Sequence, residues 1–300
     1  MTNKFRTSIV SLRAMVPETA FTASTLGTIR EGSGVVINTT GLVLTIGYLI
    51  TEAEEVWLTT HDGRVVYAHV LGIDQQTGFG LVQALGELDL PALTLGSSGA
   101  TKLGDIGTII DGEGSEVLTE IVAKQEFAGY WEYLLDEAIF TAPFHPSWGG
   151  AALVDPQGQL IGLGSLRLQM LQLGRTTDIN MFVPIDLLKD ILDDLVNLGR
   201  SRNEPRPWLG VFTAEQNNEV IVMSVAEHGP AADAGLKSGD IISELDGHAI
   251  NGLSDFYRKL WTTSPVGSEF ALRLVRDGRD NWVRVKTADR NSFLQKPQLQ

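Results

Sequence analysis

The sequence predicts a mainly β fold in two domains. Its 300 residues exceed the roughly 100–200 residues of a common single domain, and 43% of them are hydrophobic, enough for a core in each part. Up to about Leu168 the apolar residues come in short, β-branched runs separated by turn residues. A helical period follows, and then a charged stretch with two prolines. These observations predict a β-rich first domain, a helix and a linker ahead of the second domain.

The first domain has the pattern of a β sandwich or barrel. Turn sequences such as NTTG at 38–41 and DPQG at 155–158 separate its apolar runs, and regular punctuation of this kind is typical of all-β folds. The predicted strands cover residues 34–37, 42–45, 56–59, 65–71, 106–110, 138–141 and 160–164.

The hydrophobic period changes after Pro184. Apolar residues recur at helical spacing from Ile185 to Leu198, and Gly199 follows as a C-cap, so we expect one amphipathic helix here. Residues 200–207 combine charged side chains with Pro205 and Pro207, which indicates an interdomain linker.

Five segments follow one another in a recognisable order, at 32–45, 58–74, 91–105, 180–184 and 208–211. Taken in this order they resemble the HtrA (Deg) family of trypsin-like serine proteases with a C-terminal PDZ domain, and the resemblance covers residues 30–290. It implies a mainly β chain in which a two-barrel, chymotrypsin-type domain precedes an α+β PDZ domain. The implied parts are an N-terminal segment (1–29), the trypsin-like domain (30–199), a linker (200–207), the PDZ domain (208–290) and a flexible tail (291–300).

The resemblance also locates the catalytic positions of the family. It places the histidine at Tyr48, after the strand end LT, the aspartate at Gly78 and the serine at Gly149. A Ser-His-Asp triad needs an imidazole that takes the serine proton and a carboxylate that orients the imidazole. A tyrosine phenol ordinarily titrates near ~10, and glycine has no side chain, so we expect no catalytic residue at these positions.

Two alternatives concern the residues beside Gly149. Ser147 and His145 form a conceivable relocated pair, but the sequence supplies no acid to orient the histidine. The residue two before the nucleophile is usually glycine in the family and here is Ser147, which leaves the oxyanion hole in doubt. Phe144 and Trp148 either line a cleft or, as we expect, pack between two barrels.

Residues 208–290 resemble a PDZ domain in which WLGV (208–211) takes the position of the carboxylate-binding loop. PDZ domains bind extended peptide ends by strand addition, and backbone N–H groups hold the terminal carboxylate. The residues expected at the peptide terminus are Trp208, Leu209, Gly210 and Val211. Phe256 and Leu260, on a helix predicted at 254–260, either line the side-chain pocket or face the domain core. The other predicted elements are strands at 220–225, 270–275 and 282–285, a short helix at 229–236, and a strand and turn at 239–247.

Charge limits the partners that we expect. The 199 residues before Arg200 carry 24 Asp and Glu against 10 Lys and Arg, a net charge of −14, and the remainder is neutral. Such a surface repels phosphate backbones and anionic lipids, so we expect no nucleic-acid partner and no binding to lipid surfaces. No segment approaches the ~20 apolar residues that span a bilayer, which argues against membrane insertion.

The sequence also argues against metals and cofactors. It has no cysteine, and its five histidines lack the spacing of metal ligands, so we expect neither a metal site nor a cofactor. Residues 1–29 contain no uninterrupted apolar stretch of a signal peptide, although a chain whose signal had been removed would look the same. The compartment is left open, and the resemblance implies a periplasmic or other extracytoplasmic one if a signal was removed.

Two functions are consistent with these residues. The first is a non-catalytic pseudoprotease that binds peptide C-termini or unfolded segments through its PDZ groove, as a scaffold, adaptor or chaperone-like module. The alternative is a serine endopeptidase that uses an unconventional site or acts only when assembled with an active HtrA relative. The sequence leaves the oligomeric state undecided. The family resemblance implies trimers joined through N-terminal segments, but the segment before Arg30 is short, so we do not expect a trimer.

Overall fold

The computed structural model describes residues 3–172 and 174–295, and the chain divides into two compact units. The first unit comprises the residues up to 125, residues 137–202 and the residues from 294 on. The second unit comprises residues 203–293 and also residues 126–136, which lie far earlier in the chain. The second unit begins at residue 203, within the predicted linker at 200–207, and the assignment of 126–136 to this unit was not predicted.

The first unit contains two closed six-stranded barrels, as predicted. In the first barrel the strand order is β1-β2-β3-β6-β5-β4, and every neighbouring pair is antiparallel. Its strands are β1 (Ile9–Met15), β2 (Ile29–Val36), β3 (Leu42–Ile46), β4 (Glu55–Thr59), β5 (Val65–Ile73) and β6 (Phe79–Ala84). Residues 1–29 were expected to lie outside the barrel, but β1 pairs with both β2 and β4 and closes it, since its alternate residues are apolar and buried.

The second barrel follows the order β10-β11-β12-β9-β8-β7. Its strands are β7 (Ile106–Ile110), β8 (Glu116–Gly129), β9 (Tyr133–Ala142), β10 (Ala152–Val154), β11 (Leu160–Gln172) and β12 (Arg175–Pro184). One core cluster comprises Ile109, Ile121, Ile139, Ala151, Leu153, Ile161 and Phe182, none of which is more than 2% exposed. The residues between β9 and β10 form the loop that carries Gly149.

The helices of the first unit are short. They are α1 (Asn3–Arg6), α2 (Ala23–Leu26), α3 (Gly47–Ile50), α4 (Asp186–Lys189) and α5 (Leu192–Leu198). The single helix predicted over residues 185–198 is divided in two, because the N–H groups of Leu188 and Ile191 bond to carbonyls three residues back. Gly199 ends α5 in the left-handed conformation, and its N–H donates to the Leu195 carbonyl, so the predicted C-cap is confirmed.

The second unit has an antiparallel sheet of order β14-β15-β16-β18-β19, with β17 paired to β16, and a two-stranded sheet of β13 and β20. Its elements are β13 (Pro207–Trp208), β14 (Val211–Gln216), β15 (Glu219–Val225), α6 (Pro230–Asp233), β16 (Ile241–Leu245), β17 (His248–Ala249), α7 (Leu253–Thr263), β18 (Glu269–Arg276), β19 (Arg279–Lys286), β20 (Ala288–Asp289) and a 3₁₀ turn (Arg290–Ser292). These confirm the predicted strands and helices. Helix α7 buries Leu253, Phe256, Tyr257 and Leu260 against the sheet.

The end of the chain differs from the predicted flexible tail where it is described. The backbone N–H of Gln295 donates to the Glu52 carboxylate at 2.8 Å, and its side-chain amide donates to the Thr19 carbonyl at 2.7 Å. Residues 296–300 of the predicted tail lie outside the described residues. Among the helices that are described, none is long and apolar enough to cross a membrane.

Candidate functional site

The structure places Tyr48 and Gly149, two of the three positions that the resemblance assigns to a triad, beside each other. Tyr48 lies on α3, directly after β3, and Gly149 lies on the loop between β9 and β10. A Cβ atom added to Gly149 would lie 2.9 Å from the Tyr48 hydroxyl oxygen, so this hydroxyl occupies the space into which a side chain at position 149 would project. The third position, Gly78, contacts the residue before Tyr48, since its carbonyl accepts the N–H of Gly47 at 2.7 Å.

The turn at Gly78 is held by Asp74. Gly78 has φ +83° and donates its N–H to the Asp74 carbonyl at 2.8 Å. The Asp74 carboxylate accepts hydrogen bonds from the N–H and the hydroxyl of Thr77, at 2.8 and 2.7 Å. Asp74 is therefore a turn residue, and its carboxylate is committed to that turn.

The Tyr48 hydroxyl is a hydrogen-bond donor on a half-buried side chain. It donates to the Ser165 carbonyl at 3.0 Å. Burial raises the pKa of the Tyr48 phenol well above its ordinary value of 10.0, and a hydrogen bond with the Trp148 side chain opposes the rise only in part. The phenol stays protonated at neutral pH, so Tyr48 does not supply a general base.

Arg30 holds the segment that carries Tyr48. Its guanidinium is buried and donates to the Tyr48 carbonyl at 2.8 Å and to the Thr51 carbonyl at 2.9 Å, at the C-terminal end of α3. It also donates to the Thr22 hydroxyl at 2.8 Å. Burial lowers the pKa of Arg30, and the charge of Glu52 opposes this effect. The guanidinium thus satisfies two carbonyls at the C-terminal end of α3.

His145 and Ser147 do not form a catalytic pair in this arrangement. The backbone N–H of Ser147 donates to His145 Nδ1 at 3.0 Å, which places the proton of the neutral ring on Nε2. Nε2 is fully buried, lies 3.8 Å from Asp111 Oδ2 and has no hydrogen-bond partner within the described part of the chain. Neither ring nitrogen is therefore placed to accept the Ser147 hydroxyl proton.

The same hydrogen bond affects the oxyanion hole. In trypsin-like proteases the hole is formed by the N–H groups of the nucleophile and of the residue two positions before it. At the positions that the family resemblance implies, these N–H groups belong to Gly149 and Ser147, and that of Ser147 donates to His145 Nδ1. A developing oxyanion would have to compete with an imidazole for this donor.

An open cleft of about 640 Å³ lies over these residues. Tyr48, Ser147, Trp148 and Gly149 line it together with Asp111. Trp148 and Phe144 were expected to be packed in the core, but both are only half-buried, and the Arg167 guanidinium lies 4.6 Å from the Phe144 ring centroid. A cleft is thus present beside Tyr48 and Gly149.

In the second unit, the predicted carboxylate-binding loop does bind a carboxylate. The N–H groups of Gly210 and Val211 donate to Glu132 Oε1 at 2.7 and 3.0 Å, and the N–H of Leu209 donates to Glu132 Oε2 at 3.0 Å. Burial raises the pKa of Glu132 to about 7, against the lowering effect of the three N–H donors and of the charge of Arg290. The loop therefore offers three convergent donors to one anion.

Trp208 and Gly210 shape this loop. Trp208 is buried, pairs with Ala288 in the short sheet β13-β20, and its ring lies 4.9 Å from that of Phe293. Gly210 has φ +80°, and a Cβ there would lie 3.0 Å from the Trp208 ring, so only glycine fits without strain. Trp208 thus supports the loop, while the three following residues supply its donors.

Phe256 and Leu260 lie in the core of the second unit. Both are fully buried on α7, in a cluster that includes Leu209 and Val211 of the loop and strand. Leu134, from the tip of the β8–β9 hairpin, belongs to the same cluster and is 5% exposed. Phe256 and Leu260 therefore face the domain core, and Leu134 packs in the same cluster.

Glu132 is the functional residue that the sequence analysis missed. It lies in the aromatic run Tyr130–Tyr133, where Tyr130 is 54% exposed and the ring of Trp131 stacks on that of Tyr133 at 5.3 Å. A charged residue among aromatic side chains was the one sign in the sequence that Glu132 is unusual. The sequence does not show which groups it binds, because they lie 77–79 residues away in the chain. The part of the chain described here contains no group of three or more His, Cys, Asp or Glu side chains that could hold a metal ion.

Comparison with known proteins agrees with this architecture. A family model described as a trypsin-like peptidase domain matches residues 32–163, and one described as a PDZ domain matches residues 207–287. Among curated proteins, the chain is similar to a probable periplasmic serine endoprotease DegP-like from Halomonas elongata, with 27% identity over 273 residues. It is also 29% identical over 272 residues to the periplasmic serine endoprotease DegP from Salmonella typhimurium.

These alignments cover 86% and 85% of this chain, but only 56% of each relative, so the chain spans little more than half of their length. Among solved structures, the HtrA-type protease AlgW with a decapeptide matches with a TM-score of 0.55 and 22% identity over 98% of both chains. The serine endoprotease from Yersinia pestis matches with a TM-score of 0.54 and 21% identity over 95% of both chains. The chain thus consists of a trypsin-like peptidase domain followed by a PDZ domain, and the HtrA/DegP family is the one that it resembles in sequence and in fold.

Proposed function

We propose that this chain is a non-catalytic relative of the serine endoproteases that binds peptide or protein segments through its PDZ groove, as a scaffold, adaptor or chaperone-like module. The observation that carries the proposal is the position of the Tyr48 hydroxyl, 2.9 Å from where a Cβ on Gly149 would lie. A protonated phenol fills the place of the nucleophile, and Gly78 supplies no acid. A triad that lacks all three members retains at most its binding and oxyanion effects.

The names of the relatives argue against the non-catalytic part of this proposal. The curated relatives are named serine endoproteases, and this chain spans 56% of their length. Proteolysis by this chain would need a nucleophile and a base, and the nearest pair, Ser147 and His145, has its imidazole engaged by the Ser147 backbone N–H. An active HtrA relative as a partner would be compatible with the proposal. Because these relatives are named periplasmic, we place the proposed activity outside the cytoplasm.

The binding part of the proposal rests on the loop after Trp208. Leu209, Gly210 and Val211 aim three N–H groups at one point, and a carboxylate occupies that point. The edge of β14 and the apolar side chains of α7 lie beside it. This is the donor and pocket arrangement that strand-addition recognition of a peptide end requires.

A cleavage assay on the purified full chain tests the non-catalytic part. The substrate is an unfolded protein carrying a self-quenched dye, and the variant Ser147→Ala is measured beside the wild type. We expect both to release dye at the buffer rate. Turnover by the wild type that Ser147→Ala abolishes would show a relocated nucleophile and would contradict the proposal.

A further inference from the structure

The groove of the PDZ domain holds a segment of the same chain. The tip of the β8–β9 hairpin, residues 128–134, lies against β14 and α7 within the second unit. The N–H of Thr213 on β14 donates to the Tyr130 carbonyl at 2.8 Å, which is a main-chain contact along the edge of the strand. We call residues 128–134 the internal ligand segment.

The internal ligand segment presents a carboxylate where a peptide would present its terminus. Glu132 places Oε1 between the N–H groups of Gly210 and Val211 and Oε2 on the N–H of Leu209. All three donors belong to the backbone, so the loop recognises the carboxylate whether it comes from a side chain or from a chain terminus. Glu132 has φ +59°, a conformation that a non-glycine residue adopts rarely and that here is held by these bonds.

Tyr257 of α7 fixes the backbone of the segment. Its hydroxyl donates its one proton to the Gly129 carbonyl at 2.8 Å and accepts the N–H of Glu132 at 3.1 Å. The Thr213 hydroxyl lies 2.9 Å away and donates to the same oxygen. One buried hydroxyl therefore joins the helix, the strand and the segment, and leaves the backbone groups on both sides of the turn satisfied.

Leu134 fills the apolar part of the groove. It is 5% exposed and packs in the cluster of Phe256 and Leu260, and Ala128 packs against the same cluster from the other arm of the hairpin. A carboxylate on the loop together with an aliphatic side chain in the adjacent pocket is the pair of features by which PDZ domains recognise a peptide end.

An ion pair at the surface spans both ends of the segment. Arg258 of α7 contacts the carboxylates of Glu126 and Asp136, the latter at 2.6 Å. Glu126 and Asp136 flank the internal ligand segment. Helix α7, which lines the groove, therefore also contacts the chain just before and just after the segment. The side chains are partly exposed, and their contribution is correspondingly smaller than that of the buried contacts.

We infer that residues 128–134 are an internal ligand that keeps the PDZ groove closed, and that a peptide in trans binds only after Glu132 leaves the loop. The inference rests on the proposed function, since both use the same groove. It also assigns a ligand chemistry to that groove, namely an extended segment that offers a carboxylate to the loop and a leucine-sized side chain to the pocket.

The test uses the full chain and two measurements. The first is hydrogen exchange at the backbone amides of Leu209, Gly210 and Val211, which the Glu132 carboxylate protects. The second is fluorescence anisotropy with a fluorescein-labelled synthetic peptide of residues 126–136, capped at both ends. The variants are Glu132→Gln, which replaces one carboxylate oxygen by a donor that faces the N–H groups, and Glu120→Gln, the same change at an exposed position of β8.

For Glu132→Gln we expect exchange at the three amides to accelerate by about tenfold or more, since an oxygen that accepts their N–H groups is replaced by an NH₂ donor, while Glu120→Gln leaves exchange unchanged. We expect the peptide to bind Glu132→Gln about tenfold or more tightly than the wild type and to restore amide protection. Unchanged exchange in Glu132→Gln would overturn the inference. Accelerated exchange without peptide binding in any variant would leave the internal ligand established and contradict the proposed binding in trans.

Discussion

The hydroxyl oxygen of Tyr48 lies 2.9 Å from the point where a Cβ on Gly149 would be, and the next nearest atoms, those of the Leu49 side chain, are 3.9 Å away. The Tyr48 side chain fills the space that a side chain at position 149 would need, and Gly149, which has none, leaves that space free. The hydroxyl is also fixed by its hydrogen bond to the Ser165 carbonyl, so it does not yield freely. This complementarity leads to a prediction that depends on a single oxygen atom.

Gly149→Ala should destabilise the chain by about 1 kcal/mol, because the new methyl group displaces the Tyr48 hydroxyl from its partner. The same substitution in a Tyr48→Phe background should have almost no effect, since the oxygen that it meets is gone. Equilibrium urea unfolding of the wild type, both single variants and the double variant measures this coupling. Equal losses from Gly149→Ala in both backgrounds would show that the two residues do not compete for the space.

Arg30→Met should reduce the free energy of unfolding by about 2–4 kcal/mol, because it leaves the buried carbonyls of Tyr48 and Thr51 without their donor. Arg13→Met is the matched control, since the Arg13 side chain is 54% exposed and lies 3.7 Å from Glu31, and it should cost less than about 1 kcal/mol. Urea unfolding compares the two. Similar losses for both would refute the structural role of Arg30.

The Glu132 carboxyl should titrate near pH 7. Burial raises its pKa from the ordinary 4.5 to about 7, against the three N–H donors, while Arg290 and Tyr257 are the charged and titratable groups that face it. The docked segment then binds a proton more tightly than the free one, so docking is strongest below about pH 4.5 and weakens as the pH rises toward 7. Carbon-13 NMR of glutamate-labelled chain, assigned with Glu132→Gln, measures the midpoint. A midpoint near 4.5 would contradict the prediction.

Gly210→Ala should damage the carboxylate-binding loop more than backbone strain alone explains. Gly210 and Gly235 have nearly the same φ, +80° and +81°, but a Cβ at Gly210 meets the Trp208 ring at 3.0 Å, whereas none of the atoms described lies within 4 Å of one at Gly235. We expect Gly235→Ala to cost about 1 kcal/mol and Gly210→Ala about 1 kcal/mol more. Thermal unfolding gives both values, and equal values would assign the whole effect to φ.

Much of the architecture could be predicted from the sequence because its signals are local. Strand-length apolar runs with turn residues between them predicted a β sandwich or barrel, and the resemblance to the HtrA family implied the two barrels and the PDZ fold. The left-handed cap at Gly199 was predicted for the same reason, since a glycine directly follows the last apolar residue of α5.

The features that were not predicted depend on contacts between distant residues. Strand β1 joins the first barrel through pairing with β2 and β4, which its own sequence does not reveal. The break between α4 and α5 is not marked by a proline or glycine, so an uninterrupted helical period predicted a single helix. In the sequence Glu132 is only a charged residue among aromatic ones, and its role becomes visible when the fold places the loop at Leu209 beside it.

The internal ligand segment is covalently joined to β8 and β9, so the groove always meets it at a fixed local concentration. For short connections such effective concentrations are of order mM, far above those of most free peptides. A docking constant of about 100 would turn an intrinsic dissociation constant of 1 μM into an apparent one of about 100 μM. A partner that first binds elsewhere on the chain would raise its own local concentration to the same scale, and such a two-point partner is the kind that would open the groove.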